Sequence, residues 1–316
     1  MLFMLSYSKM KVKNILKLRA SGKINLYLNV SKNGRTDGYH EIKSIMQSIS
    51  LSDELTFEIL KGNESYGSQY KNGIYITCNN EDIPLDEKNL VHKAAALILD
   101  GYNLRSKYSV KINIGKHIPV CAGLAGGSTN AAATLVALDK LFNLNIESVD
   151  MMNLAGEVGS DVPFCIKGGT TLSEGRGEKL SELPHLPFYW IILATNGGKF
   201  LSGDVYGKFD LIGVEKKSIH KELVNNIIKK EFGSFFEKLQ NDLEEVVVIE
   251  DKEILAIKEK ASELGAIATQ MTGSGPTVFA FCDDLKTAIN VYEGLKPLSS
   301  KVFLSHTTPN SLAIYS

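Results

Sequence analysis

From residue 23 the chain reads Lys-Ile-Asn-Leu-Tyr-Leu-Asn-Val, and this alternation of polar and apolar positions predicts a half-buried strand. A turn-rich Asn33-Gly34-Arg35-Thr36-Asp37-Gly38 follows. Residues 42–49 and 54–60 read as two further strands, and the polar stretch 62–73 as a long surface loop. Apolar residues recur at helical spacing over 89–99, and alternation returns over 108–114. Farther on, Ala131, Leu135, Leu138 and Phe142 fall on one face of an amphipathic helix, with Ser128 or Thr129 placed to cap it. A second helix is expected over 149–158, ended by Gly159. Pro184 and Pro187 then break the chain ahead of an apolar strand at 188–194. Beyond them, charged helical patterns (221–230, 251–264) alternate with strands such as 277–282. The order predicts an α+β layout without internal repeats.

Length sharpens that picture. At 316 residues the chain exceeds the roughly 250–300 at which a single core stops growing, so two domains sharing a cleft are expected, 1–185 and 186–316. Composition is ordinary for a globular protein, 44% apolar and 22% charged. The net charge of −1 gives no global reason to expect nucleic acid or an anionic membrane as partner. No apolar run approaches the ~20 residues of a spanning helix. Cys78, Cys121, Cys165 and Cys282 are scattered without a Cys-x-x-Cys pair, and the six histidines lack metal-ligand spacing. The cysteines are expected as buried thiols in a reducing cytoplasm. The first nineteen residues hold Lys9, Lys11, Lys13, Lys17 and Arg19 and no acid, a faint likeness to a targeting leader. A ragged terminus, or a start at Met10, is the favoured reading.

Three stretches carry candidate chemistry. Residues 119–132, Pro-Val-Cys-Ala-Gly-Leu-Ala-Gly-Gly-Ser-Thr-Asn-Ala-Ala, concentrate small side chains just before a helix. Glycines at a helix N-terminus let a phosphate approach unpaired amides, although close packing of chain segments asks for the same residues. No Walker loop, no Gly-x-Gly-x-x-Gly after a strand and no Gly-x-Ser-x-Gly elbow occurs. Gly159-Ser160-Asp161-Val162-Pro163-Phe164 sets one carboxylate before a proline, where it serves either as a helix cap or as a reactive group. Residues 271–277, Met-Thr-Gly-Ser-Gly-Pro-Thr, form a second small-residue loop.

Taken in order, the Lys23 strand, the 119–132 stretch and the 271–281 segment resemble the GHMP kinase superfamily. The likeness covers about residues 18–300. It implies a two-domain α+β fold, with a ribosomal-protein-like ATP domain followed by a ferredoxin-like domain, and transfer of the ATP γ-phosphate with magnesium. Further blocks at 35–40, 159–164, 174–178 and 199–206 resemble the branch whose acceptor is a cytidine diphosphate-linked methylerythritol, phosphorylated on its 2-hydroxyl. By this resemblance Asp161 would orient the hydroxyl and take its proton, and Lys23 would stabilise the charge that develops. Tyr39 and His40 would hold the cytosine, Tyr206 would close its other face, and Asn25 and Ser202 would touch the acceptor. For ATP the resemblance implies Pro119, Gly123, Leu124, Ala125, Gly126, Gly127, Ser128 and Thr129 around the phosphates, with Asn89 and Lys116 near the adenine and phosphate tail. The chain departs from the commonest pattern at Ala125, usually glycine, at Thr129, usually serine, and at Ser202, usually threonine. A methyl at 125 is expected to require negative φ. Magnesium ligands and oligomeric state stay open. The rival expectations are a mevalonate-type kinase or decarboxylase, and a non-catalytic sensor that kept the fold.

Overall fold

The computed structural model describes residues 14–32, 34–61, 73–197 and 200–315. The basic leader up to residue 13, most of the expected 62–73 loop, Asn33 and Lys199 lie outside them. In the first half the elements are β1 (Ile15–Val30), β2 (Ile42–Lys61), β3 (Ile74–Cys78), α1 (Leu90–Gly101), β4 (Tyr108–Gly115), α2 (Gly126–Phe142), α3 (Ser148–Val158), α4 (Val162–Lys167), β5 (Thr170–Gly175) and β6 (Lys179–Glu182). The second half continues with β7 (Trp190–Thr195), α5 (Ser202–Ile212), α6 (His220–Lys229), α7 (Phe232–Phe236), β8 (Gln240–Asn241), α8 (Glu244–Val247), α9 (Glu253–Glu263), β9 (Ala268–Met271), β10 (Val278–Cys282), α10 (Leu285–Leu295), β11 (Lys301–His306) and β12 (Leu312–Tyr315).

Two sheets organise the molecule. The larger has the order β12-β1-β2-β4-β3, with β5 and β6 branching from β2 and β8 from β1; the smaller runs β11-β7-β10-β9. The expected pair of strands at 42–49 and 54–60 is one continuous strand, β2. Its first half pairs with β5, its second half with β4, and β1 lies along most of its length. Register shifts at Ser21/Lys23 and Asn25/Tyr27 let one strand serve both directions, because bulges bend it without ending the pairing. Residues near the C-terminus return to the first sheet, where β12 pairs antiparallel with β1 from Lys17 to Ala20.

The cores follow the patterning. Ala131, Leu135, Leu138 and Phe142 are all fully buried, so the stripe read from the sequence is the face that α2 lays on the large sheet beside α1 and α4. A second core joins α5, α9 and α10 to the small sheet. A third contains Ile24, Leu26 and Tyr27 of β1 together with Leu193, Phe279 and Phe281 of the small sheet. β1 is therefore covered on both sides, and charged or amide side chains on it are held among apolar neighbours. Among the described residues no helix is long and apolar enough to cross a membrane. The expectation of four buried thiols is corrected. Cys165 and Cys282 are buried, but Cys121 is exposed on the 119–125 loop and Cys78, at the end of β3, is half-buried against the first core.

Candidate active site

The centre of the site is built on β1. Lys23, with only 6% of its side chain exposed, donates from Nζ to Asn25 Oδ1 at 2.7 Å and sits 3.6 Å from Asp161 Oδ2. Asn25 is held in that orientation by its other groups. Its Nδ2 donates to Ser44 Oγ at 2.8 Å, and its backbone N–H donates to Thr272 Oγ1 at 2.9 Å. Asp161 occupies the position before α4, yet its side chain makes no capping hydrogen bond. The helix-cap alternative for Asp161 is thus set aside by geometry: the carboxylate turns to Lys23 and keeps 37% of its surface open. Nearby, the Cys165 thiol and the Tyr206 hydroxyl are both pushed well up by burial first and by the charge of Asp161 second. Both remain neutral at ordinary pH, which leaves the carboxylate as the accessible proton acceptor of the cluster.

The glycine-rich stretch divides its duties. A Cβ on Gly123 would stand 2.3 Å from the Thr272 carbonyl oxygen, and one on Gly273 would stand 3.0 Å from the Gly123 carbonyl oxygen. These glycines let the 119–125 and 272–275 loops touch backbone to backbone. A Cβ on Gly126 would meet Lys116 Nζ at 2.6 Å. Gly127, by contrast, is exposed, and a Cβ there would have only ordinary contact with Leu90. Leu124 buries its side chain in the inter-sheet core while its carbonyl accepts the Lys23 N–H at 3.1 Å. Pro119 is half-buried.

Two expectations about this loop are corrected. Neither Ser128 nor Thr129 caps α2. The helix begins at Gly126 with Ala125 in the cap position and no side-chain cap, because the chain enters from a left-handed residue. Ala125 itself has φ 55°, so the methyl is carried at positive φ and not at the negative φ expected for it. Because Thr129 N is the first amide bonded back to Ala125 O, the N–H groups of Gly126, Gly127 and Ser128 lack intrahelical partners. Within the same turn Thr129 Oγ1 and Asn130 Oδ1 are buried without a hydrogen-bond partner among the described residues. Free amides, a helix dipole and orphaned oxygen atoms suit a phosphate chain and a cation bound to it.

Asn89 and Lys116 lie beside this loop with their polar groups engaged. Asn89 caps α1, its Oδ1 accepting from Val91 N at 2.9 Å and its Nδ2 donating to Pro84 O at 2.7 Å. Lys116 Nζ is 2.5 Å from Asp53 Oδ2, in a pair almost wholly out of solvent. Burial pushes the ammonium down against the pull of Asp53. Lys116 is therefore a buried, ion-paired side chain beside the loop.

On the other flank, the β1–β2 connection is a tight loop: Arg35 ion-pairs with Asp37 and Glu41, and Asp37 Oδ1 accepts the Tyr39 N–H. Tyr39 is 47% exposed, with the Arg176 guanidinium over its ring at 5.1 Å. His40 Nε2 meets Asp210 Oδ1 at 2.8 Å and its ring packs against Tyr206 at 5.0 Å. Ser202 opens α5 and its Oγ lies 3.0 Å from Ser274 Oγ. The structure thus brings Lys23, Asn25, Asp161, the 123–129 loop and the 272–275 loop together, with Tyr39, His40, Ser202 and Tyr206 along the adjoining edge.

Sequence reasoning gave no role to Ser44, Asp53, Thr272 or Arg176. Ser44 and Asp53 are buried on β2, but each has polar neighbours in sequence that hide it. Thr272 and Arg176 sat within quoted motifs but had no partner visible in one dimension.

Known proteins resemble this chain in sequence and in fold. Residues 89–169 match the GHMP kinases N terminal domain and residues 223–297 the GHMP kinases C terminal domain. A 4-diphosphocytidyl-2-C-methyl-D-erythritol kinase of Caldanaerobacter subterraneus subsp. tengcongensis is 41% identical over 95% of this chain and 99% of its own length. A kinase of the same name from Bacillus subtilis is 39% identical over 90% of this chain and 94% of its own. A crystal structure of 4-(cytidine 5'-diphospho)-2C-methyl-D-erythritol kinase superposes with a TM-score of 0.75 at 25% identity, covering 92% of this chain and 98% of that one. Homoserine kinase from Cytophaga hutchinsonii, at 17% identity and a TM-score of 0.73, shares the fold. With relatives this similar along nearly its whole length, the chain belongs to the GHMP kinases.

Proposed function

We propose that this protein is an ATP-dependent kinase that phosphorylates the 2-hydroxyl of 4-diphosphocytidyl-2-C-methyl-D-erythritol, a step of non-mevalonate isoprenoid precursor synthesis. Relatives about 40% identical over most of the chain support the acceptor. The observation that carries the chemistry is the solvent-facing Asp161 carboxylate beside the buried Lys23 ammonium, next to a helix N-terminus with free amides.

In this reading the acceptor hydroxyl binds at Asp161, which takes its proton as the oxygen attacks the γ-phosphorus of ATP. The bond between that phosphorus and the β–γ bridging oxygen breaks, and ADP leaves. Lys23 stabilises negative charge on the attacking oxygen, and Asn25 fixes the ammonium. Phosphoryl transfer depends mainly on such positioning and charge stabilisation. The amides of Gly126, Gly127 and Ser128 hold ATP phosphates. Magnesium would neutralise the phosphate oxygens, with the Ser128 and Thr129 hydroxyls as its side-chain candidates. The described residues contain no cluster of three acidic, histidine or cysteine groups for it. Tyr39, His40 and Tyr206 hold the cytidine end, and Ser202 touches the acceptor. The domains divide near residue 185, and the four free thiols accord with work in the cytoplasm.

The test is ADP release by purified protein with the cytidine acceptor, mevalonate, homoserine or no acceptor. Turnover with the cytidine compound alone is expected. Turnover with mevalonate or homoserine instead would reassign the acceptor, and ligand binding without any turnover would favour a sensor.

A further inference from the structure

Arg176 is the side chain near the site whose chemistry the reaction has not used. It sits in the turn between β5 and β6, which is locked by several contacts. Gly175 and Gly177 have φ of 73° and 120°, values that favour glycine. Ser173 Oγ donates to Gly177 O at 2.7 Å, and the Arg176 N–H donates to Glu178 Oε2 at 2.8 Å. The turn also abuts the segment that carries Asp161, since a Cβ on Gly177 would lie 3.6 Å from Ser160 O.

From this fixed base the guanidinium reaches in two directions. Nη2 donates to Gly156 O at 3.0 Å, and the cation lies over the Tyr39 ring at 5.1 Å. Among the described residues its guanidinium has no carboxylate within ion-pair distance, though it feels the charge of Asp37 on the Tyr39 loop, and the Tyr39 ring is the aromatic face it covers. Tyr39, meanwhile, projects from a loop with nearly half its surface exposed. A ring in that setting is free to turn unless something holds one face. Arg176 does so and leaves the opposite face open for a planar ligand.

We infer that Arg176 is a positioning residue for acceptor specificity. It braces Tyr39 so that the free face of the ring stacks on a pyrimidine, and it ties that ring to the segment bearing Asp161. The inference rests on the acceptor reading above. It predicts an effect confined to the cytidine end of the acceptor, because Arg176 touches neither Lys23 nor the glycine loop.

The experiment compares Arg176→Ala and Arg176→Lys with the parent protein, alone and in a Tyr39→Leu background. Removing a half-buried cation–π brace should raise the acceptor KM about 5- to 30-fold in Arg176→Ala. The KM for ATP should stay unchanged and kcat should stay within about threefold. Lysine keeps the charge but not the planar face, so Arg176→Lys should recover only part of the loss. In the Tyr39→Leu background Arg176→Ala should add less than about twofold, since residues acting as one unit are not additive. An unchanged acceptor KM, or an equal rise in both backgrounds, would overturn the inference. Calorimetry with cytidine 5'-diphosphate on the same proteins separates the two readings. If the parent binds that nucleotide, and Arg176→Ala weakens it, without turnover of the acceptor, the brace stands and the assigned substrate falls.

Discussion

At the scale of single residues, the reaction depends on what faces solvent. Lys23 is buried and bonded, whereas the Asp161 carboxylate is open, which is why the proposed mechanism gives proton acceptance to Asp161. Asp161→Ala should give folded protein that still binds ATP and has turnover lowered at least ~100-fold, in line with general acid–base contributions. Near-normal rates in the same assay would remove Asp161 from the chemistry. Ala125 permits a test of opposite sign. An alanine at φ 55° carries a left-handed penalty of about 1 kcal/mol that glycine does not. Ala125→Gly should therefore raise the urea midpoint slightly, with ATP KM unchanged or lower; a lowered midpoint would mean that the methyl packs better than its backbone suffers. Lys23 and Asp161 were both legible because short, unusual motifs surround them. Arg176 and Thr272 were not, since what distinguishes them is a partner far along the chain: Tyr39 for the first, Asn25 for the second.

At the scale of elements, the first turn of α2 stands on a buried ion pair. Asp53 of β2 accepts from Lys116 Nζ, His117 N and Ile118 N, and Lys116 Nζ lies directly under Gly126. Asp53→Ala leaves an uncompensated ammonium in a dry place. It should cost roughly 3–5 kcal/mol by denaturant titration, with much of that loss regained when Lys116→Met is added. Equal instability of the double variant would show that the pair is not the source. Hydrophobic periodicity located α1, α2, α3 and most strands, since each turns an apolar stripe toward the core. It split β2 in two, because the polar residues Ser50, Ser52 and Asp53 near its middle look like a loop until β1, β11 and the amides of His117 and Ile118 are present to receive them. It also misplaced the start of α2, where a left-handed backbone entry does the work usually given to a hydroxyl cap.

At the scale of the whole molecule, two sheets are fused through a shared core, and stability should respond as a unit. Burial pushes His92 and His220 below the usual histidine value. The folded chain thus binds those protons less readily than the unfolded chain. Stability from this source is complete above about pH 6.5 and is lost as pH falls through the depressed folded values. Thermal midpoints measured from pH 7.5 down to 5 should decline, and the decline should be shallower in a His92→Gln, His220→Gln variant; parallel curves would count against these histidines. The two-domain α+β plan was legible from length and element order, whereas the return of β12 to the first sheet depends on its pairing with β1, far away along the chain. That return has a consequence for how the protein is made. β1 leaves the ribosome long before its neighbour β12. Throughout synthesis the edge of β1 that β12 will cover stays unpaired, and unpaired edges recruit other strands. A nascent chain stalled before β12 would therefore be exposed first at β1, the strand that carries Lys23.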